Sequence, residues 1–247
     1  MDSFKLSDGR DNRTINRDII KYIAIMCMLI NHIAYAFLSD SGYLFQICDG
    51  IGKFTAITMI YFLVDGYFYT KSLKKYFIRL LIFALISQPF FYIVFCKGKD
   101  YFYLNFLFTL ILCLLSVRIY YSKSNISIKY LIFIVIIVLS GLCDWNFLAI
   151  IMTLLFLLVR DKRITLFTAY ISSAICTSLM TFLPTLKGGK NSLLEIIIGF
   201  IFMLFSYVLI RYFYNGKKAL KYVKFNKYFF YIFYPLHLII ISLFMVF

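Results

Sequence analysis

The sequence predicts an all-α fold: a polytopic transmembrane helical bundle of about nine helices, within a range of eight to ten. Three observations carry this. The 247 residues are 63% apolar with a mean hydropathy of +0.88, more apolar surface than a soluble domain of this size requires. Apolar runs of about 20 residues, the length a bilayer crossing needs, recur along the chain. These runs are dense in Ile, Leu and Phe and lack the alternation of barrel strands, so helices are left to satisfy the backbone in hydrocarbon.

The elements follow from reading apolar runs against charged gaps. The opening MDSFKLSDGRDNRTINRD is polar and mixed in charge. It precedes an apolar run, Ile19 to Leu38, as long as a full span, so 18–38 is read as an uncleaved first helix and not a secretory signal. The next helices are predicted at 51–70, 76–96, 101–121 and 126–143. The helix at 146–159 is short for a span and is reached through the tight connection GLCDWNF, 141–147. Helices at 163–184 and 192–213 follow. A basic stretch, YNGKKALKYVKFNK (214–227), is read as a cytoplasmic loop or interfacial helix before the last span at 228–247. No internal repeat or soluble domain interrupts this, so residues 1–247 form a single integral-membrane domain with 1–17 as a polar cytoplasmic N-terminal segment.

Orientation follows from where the basic residues fall. With the N-terminus cytoplasmic and the C-terminus extracytoplasmic, inner segments hold 21 of the 26 Lys and Arg residues and outer segments only Lys53, Lys97, Lys99, Lys187 and Lys190. That split places the protein in the cell membrane as a multi-pass chain. It also accounts for the net charge of +15 without nucleic acid as a partner. The six cysteines are scattered with no CxxC pair, which gives neither a disulfide framework nor a metal site.

Polar groups inside spans are costly, about 2.5–3.5 kcal/mol for a charge at a helix centre, and tend to mark function. Here they are Asn31 and His32, Asp65, Gln88, Asn105, Glu195 and His237. Each also has a plainer reading: interhelical hydrogen bonding for the histidines, packing for Gln88 and Asn105, an interfacial position for Glu195, a pairing at the cytoplasmic mouth for Asp65. One spacing lifts His32 above that. Lys21 precedes it by eleven residues, about three turns and about 16 Å of rise, so the two share a helix face. That rise matches the reach of an extended pantetheine arm. A coenzyme A with its phosphates on Arg17 and Lys21 would present its thioester near His32. Neutral imidazole takes a proton near neutral pH, and Asn31 would orient the ring or donate to the developing oxyanion. His237 follows Pro235 in FFYIFYPLHLIII at a similar depth on the last helix.

The segments IIKYIAIMCMLINHIAYAF, GKFTAITMIYFLVDGYFYTKSLKKYFIRLLIFALISQPF, LNFLFTLIL, CDWNFLAIIM and YNGKKALKYVKFNKYFFYIFYPLHLIII together resemble the TraX family of membrane acetylases, named for N-acetylation of pilin subunits. The arrangement is also similar to the wider acyltransferase-3 superfamily, which has a basic residue eleven positions before a functional histidine. The resemblance implies acetyl-CoA as cytoplasmic acyl donor, with no metal, and His32, Asn31, His237 and Asp65 as the catalytic set. It implies Lys21, Arg79 and Lys53 as polar partners and Asp65-Gly66 with Ser87-Gln88-Pro89 as site wall. Together with the reading of the residues, the expected cofactor-binding set is Arg17, Lys21, Lys53, Lys75 and Arg79, and the expected acceptor-facing set is Gln88, Asn105, Asp144 and Tyr234. The family pattern has a carboxylate directly before the first-helix histidine, where this chain has Asn31. Lys53, Ile57 and Asp65 stand where arginine, proline and glutamate are usual.

The leading expectation is therefore an acetyltransferase acting on an amine or hydroxyl of a membrane or secreted peptide or cell-envelope acceptor, with the bilayer as its surroundings. The alternatives are a transporter or flippase that uses the same polar residues, and a structural assembly factor. Stabilisation by coenzyme A separates the first from both.

Overall fold

The computed structural model describes residues 13–38, 42–97, 102–186 and 193–246. Among them the regular structure is helical, joined by turns and short irregular connections, with two isolated β-bridges. Nine helices follow in order: α1 (Arg17–Phe37), α2 (Tyr43–Tyr69), α3 (Leu73–Phe91), α4 (Phe106–Tyr120), α5 (Ile126–Ser140), α6 (Asn146–Arg160), α7 (Leu166–Leu186), α8 (Leu193–Val208) and α9 (Val223–Val246). A π-helical turn at Tyr92–Cys96 extends α3, and another at Leu209–Phe213 extends α8. The expected helical membrane bundle is what the chain forms. Of the basic residues used for orientation, Lys5, Arg10, Lys99, Lys187 and Lys190 lie outside the described residues.

Among the described residues six helices are long and apolar enough to cross a membrane: α1, α2, α7, α9, and α3 and α8 with their π-helical extensions. The helices expected at 101–121 and 126–143 form as α4 and α5 with narrower bounds, 15 residues each, the same length as α6. At 1.5 Å per residue they reach about 22 Å, short of a hydrocarbon core of about 30 Å. The reason is local. Asn105 caps α4 through its Oδ1, which accepts from the Leu107 N–H at 3.0 Å, so α4 begins at Phe106, whereas α5 begins at Ile126 as expected and ends early, at Ser140 before Gly141. An asparagine oxygen satisfies a donor that the first helical turn leaves without a partner, and so fixes where the helix begins. A correction concerns α2, which begins eight residues before the expected Ile51 and carries Gln46 and Asp49 into the helix.

The chain divides into two compact units. The first comprises Met1–Met59 and Val159–Phe230, the second Ile60–Leu158 and Tyr231–Phe247. The helices α2 and α9 each contribute residues to both.

In the first unit, α1, the opening part of α2, α7 and α8 pack around Ile20, Ala24, Phe54 and Ile57, all fully buried. Hydroxyls bind the helices together where no water competes. The Thr55 hydroxyl donates to the Ala24 carbonyl at 2.6 Å, and the Ser206 hydroxyl lies 2.7 Å from that of Thr58 and 3.2 Å from that of Tyr170. Two glycines set the closeness of approach. A Cβ on Gly50 would sit 2.9 Å from the backbone nitrogen of Gly199, and one on Gly52 would sit 2.6 Å from the Asn31 side chain. Such small residues are what close helix packing in lipid relies on, because dispersion and not hydrophobicity drives it there.

In the second unit α4 is buried on every side, from Phe106 to Val117 with few exceptions. A helix apolar all round belongs in an interior. Its neighbour α5 is the opposite case, with only Ile136 and Ser140 buried and an apolar surface suited to lipid. The start of α4 is joined to the α5–α6 connection by paired backbone bonds, Leu104 N–H to Leu142 O and Asp144 N–H to Leu104 O, both 2.8 Å.

Candidate functional site

Two groups of polar residues stand out, one in each unit. The first is built on the crossing of α1, α2, α7 and α8. Lys53 is 8% exposed, and its ammonium donates to Glu195 Oε1 at 2.8 Å and to the Thr181 hydroxyl at 3.3 Å. Asp49, one turn away on α2, has its Oδ2 3.8 Å from the same ammonium. Its Oδ1 accepts from the Asn31 amide at 2.9 Å. His32, 7% exposed, is the next residue on α1. Burying a lone ammonium would cost several kcal/mol, so Lys53 is held in a span only because two carboxylates flank it. Gly199 makes the room: a Cβ there would lie 2.5 Å from Lys53 Cδ.

Sequence reasoning had Asn31, His32 and Lys53 but missed Asp49 and set Glu195 aside as interfacial. Once α2 is extended back to Tyr43, Asp49 and Lys53 fall at i and i+4, a spacing at which opposite charges meet on one helix face. That was the available signal. The carboxylate that Asn31 replaces in the sequence is thus supplied by another helix.

Toward the beginning of α1 lie Arg17 and Lys21. The Lys21 ammonium sits over the Phe230 ring at 5.3 Å, a cation–π distance. Arg17 makes a loose ion pair with Asp18 at 3.9 Å, and its buried Nε–H has no hydrogen-bond acceptor among the described residues. The basic stretch after α8 is bonded to this end of α1. Asn215 N–H donates to Ile15 O at 3.0 Å, Arg17 N–H to Lys217 O at 2.9 Å, and Ala219 N–H to Asp18 Oδ2 at 2.8 Å. Tyr22 donates its hydroxyl proton to Asn226 Oδ1 at 2.8 Å.

In the second unit Gln88, Asn105, Asp144, Tyr234 and His237 gather around the start of α4. Gln88 Oε1 accepts from both the Asn105 backbone N–H at 2.9 Å and its side-chain amide at 2.8 Å, while Asn105 also donates to the Ala84 carbonyl at 2.8 Å. Gln88 in turn donates to the Tyr103 carbonyl at 2.8 Å. The Tyr234 hydroxyl accepts from the Phe106 N–H at 3.2 Å, another donor that the first turn of α4 leaves over. His237 lies edge-on to Tyr234 and stacks on Phe233. Its Nδ1 is 2.8 Å from the Phe233 carbonyl, which only accepts, so Nδ1 carries the proton and Nε2 is the basic nitrogen of the neutral ring. The Thr109 hydroxyl donates to the Asp144 carbonyl. Beside it, Cys143 in the α5–α6 connection has its thiol pushed up to about 11 by burial and by the Asp144 charge.

Of the remaining expected residues, Asp65 is buried in α2 and Lys75 is exposed on the first turn of α3. Arg79 lies 5.8 Å from the rings of Tyr76 and Tyr231, with its buried Nε–H lacking an acceptor. Among the described residues no three His, Cys, Asp or Glu side chains converge as a metal site requires.

A multi-pass helical chain with buried polar and charged side chains inside its apolar helices defines a polytopic membrane protein. The family model for TraX protein matches residues 16–245, and the chain belongs to the TraX family. It is 32% identical over 227 residues to a "Probable fimbrial assembly protein FimC, serogroup H1" of Dichelobacter nodosus, covering 89% of this chain and 91% of that one. No solved structure matches it.

Proposed function

We propose that the protein is a membrane acetyltransferase that carries an acetyl group from cytoplasmic acetyl-CoA to an amine or hydroxyl acceptor, with His32 as general base. One observation supports this above the others. A single helix carries phosphate-seeking cations at its start, Arg17 and Lys21, and eleven residues beyond Lys21 a buried histidine beside an amide fixed by Asp49.

In this reading the buried Arg17 Nε–H, which has no acceptor among the described residues, donates to a coenzyme A phosphate, and Lys21 neutralises it. The acceptor nitrogen or oxygen attacks the thioester carbonyl while its proton passes to His32. The new C–N or C–O bond forms, the C–S bond breaks, and His32 returns the proton to the departing thiolate. The Asn31 amide carries two hydrogens, one of them on Asp49, which leaves the other for the oxyanion. Direct transfer is favoured over a covalent serine or cysteine intermediate, because no such residue sits in a recognisable nucleophile context. The positive-inside bias puts the start of α1 in the cytoplasm. The name of the Dichelobacter relative, a fimbrial assembly protein, supports a surface-fibre subunit as acceptor.

The test is incubation of purified protein with labelled acetyl-CoA and membrane extract, followed by identification of the labelled product. His32→Ala is expected to abolish labelling while the protein stays folded and is still stabilised by coenzyme A. Wild-type labelling by that variant removes His32 from the mechanism. A protein that coenzyme A does not stabilise at all points to transport instead.

A further inference from the structure

We propose that the segment from Tyr214 to Phe225, fastened to the start of α1, is a binding surface for anionic phospholipid. The charge is the first argument. Lys217, Lys218, Lys221 and Lys224 are all exposed, and none forms an ion pair among the described residues. No Asp or Glu follows Glu195 anywhere in the chain, so the segment has no acidic neighbour in sequence to neutralise it.

Positive-inside bias explains lysines at a membrane face, but it does not explain what is interleaved with them. Leu220 is 91% exposed, Tyr222 78% and Phe225 60%. Bare apolar side chains alternating with ammonium groups suit the boundary between headgroups and acyl chains, where lysines meet phosphodiesters and the apolar groups reach hydrocarbon. A free phosphate or the nucleotide end of a cofactor would use the lysines and leave Leu220, Tyr222 and Phe225 in water.

The segment is also held in shape, which distinguishes it from a loose basic tail. Tyr214 is buried and bridged to Ile15. Gly216 and Tyr222 adopt left-handed backbone with φ of 75° and 55°. Asn226 receives the Tyr22 hydroxyl and donates back to the Lys221 carbonyl at 3.4 Å. The bonds from Asn215, Lys217 and Ala219 to Ile15, Arg17 and Asp18 fix the lysines against the first turn of α1.

The experiment titrates purified protein in neutral detergent with phosphatidylglycerol or phosphatidylcholine, reading the melting temperature and the lipid retained in native mass spectra. Phosphatidylglycerol is expected to raise the melting temperature and to stay bound, with the effect fading at high salt, while phosphatidylcholine does neither. Each single Lys→Gln change should weaken the apparent affinity about fivefold. Replacing Leu220, Tyr222 and Phe225 by serine should weaken it too, and the acyl-free headgroup glycerophosphoglycerol should have no effect. Equal stabilisation by phosphatidylcholine, or by the acyl-free headgroup, overturns the proposal. The salt and lipid comparisons on the unsubstituted protein decide the matter even if a variant does not fold.

Discussion

The side-chain amide of Asn31 on α1 donates to the carboxylate of Asp49 on α2 at 2.9 Å. The bond joins a residue next to His32 to a residue one turn from Lys53, so the first polar group is continuous from α1 through α2 to Glu195 on α8. Exchanging its partners gives the first prediction. Asn31→Asp sets two carboxylates face to face and should lower the melting temperature markedly. Adding Asp49→Asn to that variant restores one donor and one acceptor and should recover most of the loss, as a double-mutant cycle by thermal unfolding would report.

Lys53 holds two carboxylates inside a span. Lys53→Met strands Glu195 and Asp49 and is expected to cost about 3–5 kcal/mol, the range for breaking a buried pair from one side. Combining it with Glu195→Gln should return part of that stability. If the single change is as stable as the parent in detergent melts, Lys53 is not paired as described.

Gly52 and Gly66 lie on the same helix but differ in surroundings. A Cβ on Gly52 would meet Asn31 at 2.6 Å, whereas one on Gly66 meets nothing within 4 Å. Gly52→Ala should therefore destabilise by about 1–3 kcal/mol through overpacking. Gly66→Ala should be neutral or gain up to about 1 kcal/mol from better helix propensity. Equal effects of the two would contradict the close approach of α1 and α2.

Asn105→Ala removes the cap of α4 and leaves Gln88 short of a donor. The cap contributes about 1 kcal/mol, and the loss of one of the two donors to Gln88 Oε1, which keeps the backbone N–H of residue 105, adds about 0.5–1.5 kcal/mol. Chemical denaturation should show a loss near their sum, and hydrogen exchange should quicken first at the start of α4.

Cys143 offers a test by pH. Its thiol is pushed up to about 11, so the reactive thiolate is scarce at neutral pH. Alkylation by iodoacetamide should be slow at pH 7 and rise with pH up to that region, as peptide mapping would show. Rapid labelling at neutral pH would mean that the thiol is neither buried nor next to Asp144.

The helical class and most helix positions were legible because they depend on composition and run length, which local sequence carries. Asn31, His32 and His237 also stood out, since a polar residue inside an apolar run announces itself, whereas Lys53 read as an outer-segment lysine and entered only through the family resemblance. Asp49 did not stand out. It stands beside Gly50 and Gly52 in QICDGIGK, a stretch that reads as a connection until helical packing absorbs it. The length of α4 was missed for a related reason, since the Asn105 cap begins the helix at Phe106, five residues into a run that hydropathy alone starts at 101.

By itself the sequence determined that this chain lives in a bilayer as helices, because so apolar a chain has no other way to satisfy its backbone there. It also determined the eleven-residue register of Lys21 and His32, because a helix has a fixed pitch. Only the tertiary structure decided which groups complete the site. Asn31 finds Asp49, and Lys53 finds Glu195 from 142 positions away. Those pairings arise where Gly50, Gly52 and Gly199 let the helices approach closely enough for buried charges to meet. A contact of that kind depends on three-dimensional packing, which no local pattern records.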